Sequence, residues 1–255
     1  MRLATWNIQR GGGKRIPAII SEIAACAPDV VCLTEVTVKN LSKLKEALSE
    51  QGLSYVSAFC PETNDNSVLL ASKTPFSVSG EKIGRDAERW ISAYFEQQGI
   101  NLLCVHIPGA TDAKFAADGF GISGEKRKKL FWESVIEYAQ IYKDGRSIIM
   151  GDFNTGLKED AEGTPFKLSE FMLSLREIGF LDVWRYLNPE AREYTWYWRR
   201  KSKEDGKLHN HNGFRLDYIF VSPSLQREIL SAHHIHQVRE QGISDHSLLV
   251  AELRL

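Results

Sequence analysis

A chain of 255 residues, 43% hydrophobic and 25% charged, has the composition of a soluble globular protein and the length for one large α/β domain. Its formal net charge of -1 excludes the global basic bias of many dedicated nucleic-acid binders, so a role of that kind needs a local basic face. Cys26, Cys32, Cys60 and Cys104 lie in or beside apolar runs without C-x-x-C spacing, which reads as buried thiols in a reduced cytoplasmic protein and excludes a disulfide framework.

Residues 2–8 read as a strand, with no charged and apolar leader ahead of it. Ile16, Ile19, Ile20 and Ile23 follow at helical spacing, with Pro17 tolerable in the first turn. Residues 29–36 form a short apolar run typical of a buried strand, and a polar helix is expected over 40–51. Strands rich in Val, Ile, Phe and Tyr are expected at 55–60, 67–72, 76–83, 89–96 and 101–107. A long helix over 124–142 carries Phe131, Val135, Tyr138 and Tyr142 on one stripe. A buried strand at 147–150 precedes a second amphipathic helix over 165–178, with Leu168, Phe171, Met172, Leu175 and Ile178. Strands return at 194–199, 214–221, 229–238 and 247–254, while 108–124 and 199–213 read as long surface loops. No apolar run approaches the roughly 20 residues needed to cross a bilayer.

Strands outnumber helices and come both in runs and with helical crossovers. This predicts an α/β protein of two mixed sheets packed face to face with helices outside, as one domain over 1–255, rather than a doubly wound parallel sheet.

Six polar signatures sit where apolar strands end: Thr5-Trp6-Asn7, Leu33-Thr34-Glu35, Val105-His106-Ile107-Pro108, Gly151-Asp152-Phe153-Asn154, Arg215-Leu216-Asp217-Tyr218 and Ser244-Asp245-His246. Carboxylates, amides and imidazoles in this combination suit holding a hard divalent cation, orienting a phosphate and activating water. Glu35 and Asp217 each adjoin or interrupt an apolar run and need a partner or a metal. Asp152 is suited to orient or deprotonate a water, with Asn154 binding a phosphate oxygen without adding charge. His246 and Asp217 are natural partners, because a carboxylate fixes an imidazole's tautomer and favours its protonated form. His209, His211, His233, His234 and His236 cluster late in the chain, but strand alternation and a polar loop make solvated faces the simpler account than a zinc site.

The six signatures, in this order from Thr5 to His246, resemble the endonuclease/exonuclease/phosphatase superfamily. The resemblance implies a four-layer α/β sandwich with its site at one edge of the two sheets, and Mg²⁺ or Mn²⁺ as cofactor. It further implies that Glu35 is the principal metal ligand, with Asp245 a metal-side carboxylate and Asn7 placing the metal-bound phosphate and Asp152. His246, held by Asp217, would stabilise the transition state or exchange a proton, and His106 would bond a phosphate oxygen or the leaving group.

Tyr194-Thr195-Trp196 and Gly213-Phe214-Arg215-Leu216-Asp217-Tyr218 resemble the exonuclease III-type branch, in which Trp196 and Phe214 would line a pocket for an extruded abasic sugar. Arg199 and Arg200, with Lys201, are candidates for contact with a nucleic-acid backbone, and Arg89 for a phosphate. That branch generally carries Tyr at the position of His106, Asn at Gly109 and an acidic residue at Gln9, and this chain departs from it at all three. The leading expectation is a monomeric, cytoplasmic, Mg²⁺-dependent DNA nuclease, acting at abasic or structured sites. The alternative is a phosphatase or phosphodiesterase for a non-nucleic small molecule or lipid headgroup.

Overall fold

Residues 1–61, 66–79, 86–112, 114–115, 121–164 and 166–255 are described by the structure, a computed structural model. The chain runs β1 (Arg2–Asn7), α1 (Ile16–Cys26), β2 (Val30–Val36), α2 (Val38–Glu50), β3 (Tyr55–Ala58), β4 (Ser67–Ser72), β5 (Ser77–Val78), β6 (Trp90–Phe95) and β7 (Ile100–His106). It continues β8 (Lys114–Phe115), β9 (Gly121–Ile122), α3 (Gly124–Tyr142), β10 (Ser147–Asp152), α4 (Glu170–Ile178), β11 (Leu181–Asp182) and α5 (Val183–Leu187). The last third contains β12 (Trp196–Lys201), β13 (Leu208–Phe214), β14 (Asp217–Val221), β15 (Ile229–Ile235), α6 (Gln237–Glu240) and β16 (Leu248–Leu253).

Two six-stranded sheets form, in the orders β15-β16-β1-β2-β4-β3 and β11-β14-β10-β7-β6-β5. Each is mixed: β1–β2 and β7–β10 pair in parallel, joined by helical or long crossovers, and their other pairings are antiparallel. Period-2 alternation sorts the side chains into layers. Leu3, Val30, Cys32, Leu102, Cys104, Ile148, Met150, Ile219 and Val221 meet in the core between the sheets. Ala4, Trp6, Val31 and Leu33 point the other way, onto Ile16, Ile19, Ile20 and Ile23 of α1 and Leu44 and Leu48 of α2. Leu103, Val105, Ile149, Tyr218 and Phe220 likewise meet Phe131, Trp132 and Val135 of α3 and Met172 and Leu175 of α4. Helices, sheet, sheet and helices make the four layers expected.

Helix ends follow local chemistry. Ser123 caps α3 by accepting from the Lys126 amide, α1 stops at Ala27 in the left-handed region (φ 46°), and α4 stops at Gly179 (φ 108°). Several expected boundaries move. The helix expected at 165 begins at Glu170, because Leu168 is itself left-handed with φ 70°. The strand expected to reach 238 ends at Ile235, and α6 follows it. The loop expected at 199–213 is an antiparallel hairpin of β12 and β13 with its turn at 202–207, since its cross-strand pairs satisfy the backbone even with polar side chains on both faces. Within the loop expected at 108–124, β8 and β9 pair; residues 113 and 116–120, and residues 80–83 of the strand expected at 76–83, lie outside the described residues. Cys32 and Cys104 are buried as expected, whereas Cys26 and Cys60 are half-buried, and all four are free thiols.

The same alternation positions the site. The inner-face series Leu3-Thr5-Asn7, Val30-Cys32-Thr34, Leu102-Cys104-His106 and Ile148-Met150-Asp152 are apolar at one end and polar at the other. Strand β14 runs oppositely, so its polar inner residue, Asp217, comes first. Every one of these strands therefore delivers a polar side chain to the same edge of the inter-sheet core.

Candidate active site

Three adjacent strands lay His106, Asp152 and Asp217 side by side, as Asp152 pairs in register with both His106 of β7 and Asp217 of β10's other neighbour. Gly151 allows this close approach: its φ is 146°, and a Cβ there would stand 1.9 Å from the Val105 carbonyl oxygen. Asn7 arrives from the facing sheet and donates Nδ2 to Asp152 Oδ2 at 2.9 Å and to Glu35 Oε1 at 3.2 Å. Its own Oδ1 accepts from the Gln9 amide at 2.9 Å. Glu35 sits at a bulge of β2 with φ 59°, and its Oε2 accepts from the Arg10 amide at 2.7 Å. Asn154, also left-handed at φ 45°, donates its amide to Asp152 Oδ1 at 2.9 Å and its Nδ2 to the Ile107 carbonyl at 3.0 Å. Two non-glycine residues held in this region mark local strain of the kind that surrounding structure must enforce.

His246 Nδ1 donates to Asp217 Oδ2 at 2.9 Å, and both side chains are buried. The backbone before it is tied down by Ser244, whose Oγ donates to the Asn7 carbonyl at 2.5 Å and accepts from the His246 amide, and by the Trp6 indole, which donates to the His246 carbonyl. Asp245 accepts from the Trp196 indole at 3.3 Å. His106 Nε2 lies 3.7 Å from Asp152 Oδ2.

The electrostatics are unbalanced. Burial raises the Asp152 carboxyl to about 7, with Asp217 adding to the effect against the pull of His246, Asn7 and the Asn154 amide. Burial alone would lower His246, but Asp217, Asp152 and Asp245 raise it to about 10, so it is an imidazolium at neutral pH. His106 is held well below its usual value by burial and then by the Arg89 and His246 charges, so it is neutral. Glu35, Asp152, Asp217 and Asp245 thus converge on one edge against His246 and a buried lysine, Lys128. That leaves an excess of negative charge which a divalent cation would neutralise. The donor set is oxygen-rich, the chemistry of a hard ion such as Mg²⁺ or Mn²⁺, and Asp217 Oδ1 has no hydrogen-bond partner among the described residues. The chemistry of these carboxylates fits such a group.

The structure therefore gathers Asn7, Glu35, His106, Asp152, Asn154, Asp217, Asp245 and His246. Trp196 joins them through Asp245 and bridges in register to His246. Phe214, the cross-strand partner of Trp196, is mostly buried in a satellite core with Ala161, Leu216 and Phe166. Arg89 is buried, not a surface-strand residue, and its charge acts on His106. Arg199 and Arg200 are exposed three and four residues farther along β12, about 10–13 Å from Trp196 at strand rise. The histidines expected on solvated faces divide: His209 and His211 are exposed, but His234 is buried against Trp184.

Lys128 belongs to the basic run Lys126-Arg127-Lys128-Lys129 that opens α3, where the helix dipole disfavours cations and the sequence hints at phosphate contact. Lys128 is wholly buried, donates Nζ to the Asn154 carbonyl at 2.7 Å, and burial lowers it to about 8 against the pull of Asp152, Asp112 and Glu170. Its signal was available: it stands three and seven residues before Phe131 and Val135, on the apolar stripe of α3. Thr195, whose Oγ1 accepts from the Leu216 and Asp217 amides, carried no such signal.

A family model described as Endonuclease/Exonuclease/phosphatase family matches residues 4–246. The chain belongs to that family. Among solved structures it is similar to an AP endonuclease from Archaeoglobus fulgidus, with 22% identity, a TM-score of 0.80 and all of both chains covered. It is also similar to a 3′ phosphatase from Neisseria bound to product DNA hairpin and to a 3′-5′ exonuclease from Neisseria meningitidis, each with 21% identity, a TM-score of 0.78 and full coverage of both chains. At these identities the likeness establishes the fold. No helix among the described residues is long and apolar enough to cross a membrane.

Proposed function

We propose that this family member is a Mg²⁺- or Mn²⁺-dependent phosphodiester hydrolase acting on DNA. The observation that carries the reading is Asn7, which holds Glu35 and Asp152 with one amide nitrogen and so ties the metal-holding carboxylate to the group that handles water. Glu35, Asp245 and the neighbouring Asn7 would hold the metal; when bound, it supplies Lewis-acid stabilisation of the charge on the phosphate. Asp152 orients the attacking water and accepts its proton, a task suited to a carboxyl raised to about 7. His246, kept protonated by Asp217, faces the growing negative charge of the phosphoryl oxygens. Neutral His106 and the Asn154 amide orient phosphate oxygens without adding negative charge.

DNA is favoured over a small phosphoester by the hairpin that leaves the site at Trp196 and continues into exposed Arg199, Arg200 and Lys201. Trp196 and Phe214 would offer an aromatic face to an unstacked sugar or base. The AP-endonuclease and DNA-bound phosphatase likenesses support the same substrate class. The chain would act as a monomer in the cytoplasm.

The test is a Mg²⁺-dependent cleavage assay with a chelator control. It compares intact duplex, a duplex with one abasic site, single-stranded DNA, a 3′-phosphorylated duplex and a generic phosphomonoester. Cleavage of any DNA that Asp152→Asn abolishes is the expected result. Turnover of the generic phosphomonoester alone would replace the reading with a phosphatase for a non-nucleic substrate.

A further inference from the structure

A second cluster of imidazoles and carboxylate lies on other elements. His234 is the penultimate residue of β15 and His236, the residue before α6, follows it by two, with the two rings 5.6 Å apart. Glu193 reaches them from the segment between α5 and the hairpin. Its Oε2 lies 2.8 Å from His234 Nδ1 and 3.2 Å from His236 Nε2, and the three ligand atoms all fall within 4.8 Å of one another. Tetrahedral ligands at the usual Zn–N and Zn–O lengths stand about 3.3–3.5 Å apart, so a small closure or opening of this triangle seats an ion.

We propose that Glu193, His234 and His236 form a binding site for a borderline divalent metal of the Zn²⁺ class, with a fourth position open to water. Three features of the surroundings favour this. His234 is wholly buried in its side chain and its ring packs on Trp184 at 4.9 Å, so its Nδ1 is fixed toward Glu193. Ser247 Oγ, 2.8 Å from His236 Nδ1, is placed to accept that ring's other N–H, the outer support that orients a ligating imidazole. Glu193 and His236 remain partly exposed, which gives an ion a route in and leaves room for the water. Of the neighbouring cations, Arg239 is turned onto the Tyr197 ring at 4.5 Å and donates Nε to Ser247, and buried Arg215 is paired with Asp160 and Asp182. Two imidazoles and one carboxylate select Zn²⁺, Co²⁺ or Ni²⁺ over Mg²⁺, so the site differs in kind from the oxygen-rich edge around Glu35. It stands on its own residues and does not depend on the phosphodiesterase reading.

The test is calorimetric titration of the intact protein with Zn²⁺ in millimolar Mg²⁺, paralleled by Co²⁺ with its d–d absorption followed. The expected result is one equivalent of Zn²⁺ and a tetrahedral Co²⁺ spectrum, both retained in His246→Ala. Zn²⁺ affinity should fall at least about 100-fold in His236→Ala and His236→Gln, and about 10- to 100-fold in Ser247→Ala. Circular dichroism checks the fold of each variant, and the two His236 replacements guard against a packing defect in one. No stoichiometric Zn²⁺ in excess Mg²⁺, or binding lost in His246→Ala but kept in both His236 variants, overturns the proposal.

Discussion

Arg215 and Asp217 stand two residues apart where β14 begins, and both are fully buried, yet they belong to opposite electrostatic environments. Arg215 donates to Asp160 Oδ1 at 2.8 and 2.9 Å and to Asp182 Oδ2 at 2.6 Å, and Arg185 adds a third donor to Asp160 at 2.7 Å. Two cations face two anions, with the Arg215 guanidinium stacked over Trp184 and Tyr218 at 4.8 and 4.4 Å. Asp217 instead lies directly across from a second carboxylate, Asp152, with His246 as its one direct ionic partner among the described residues. Like charges paired across strands destabilise a sheet, and a buried anion without full compensation costs several kcal/mol. A balanced buried cluster holds a fold together. An unbalanced one is a cost that a fold sustains for chemistry with a cation and an anionic substrate.

The sharpest way to break the contrast is Asp152→Asn. Cleavage should fall on the order of 10³-fold, while the melting temperature stays level or rises, because a buried like-charge pair has been removed. A large stability loss with activity retained would make Asp152 structural instead. The complementary change, Asp160→Asn, should cost about 3–5 kcal/mol at neutral pH in a urea titration, by leaving Arg215 and Arg185 with Asp182 as the one anion of the cluster.

Its pH dependence has a definite sign. Burial would raise Asp160, but Arg215 and Arg185 bring its carboxyl below the usual 3.8. The stability it contributes is therefore complete above that value and lost as pH falls through the lower folded value. The gap between wild type and Asp160→Asn should narrow between pH 4 and the acid-unfolding limit, and a gap independent of pH would refute the ion-pair account.

Lys128→Met tests a group between the two environments, buried like Arg215 but aimed at the site. It should reduce kcat about 10- to 100-fold by releasing the Asn154 carbonyl, with little change in melting temperature. An unchanged kcat would reduce Lys128 to packing. The smallest effect is expected far from both clusters. Glu replacements of Arg199, Arg200 and Lys201 should raise KM on DNA about tenfold and flatten its salt dependence, leaving kcat on a short substrate unaltered. Kinetics that ignore the reversal would return the hairpin to a solvated role.

Alternation and helical spacing made the layers legible without coordinates, because a strand that packs on both faces and a helix that packs on one leave different periods in the chain. The end-of-strand placement of Asn7, Glu35, His106 and Asp152 was legible for the same reason: polar residues that close apolar runs have few places to go. What tertiary structure decided is where those strand ends meet. The sequence does not encode that Asn7 bridges Glu35 and Asp152 across 28 and 145 residues, because such contacts depend on sheet order and register. The hairpin of β12 and β13 was hidden by polar composition on both faces, and the Glu193–His234–His236 cluster by a carboxylate 41 residues away from the first imidazole. Local periods reflect burial of single elements, so they survive in one dimension. Charge balance in a buried site is a sum over groups brought together from the whole chain, and only folding performs that sum.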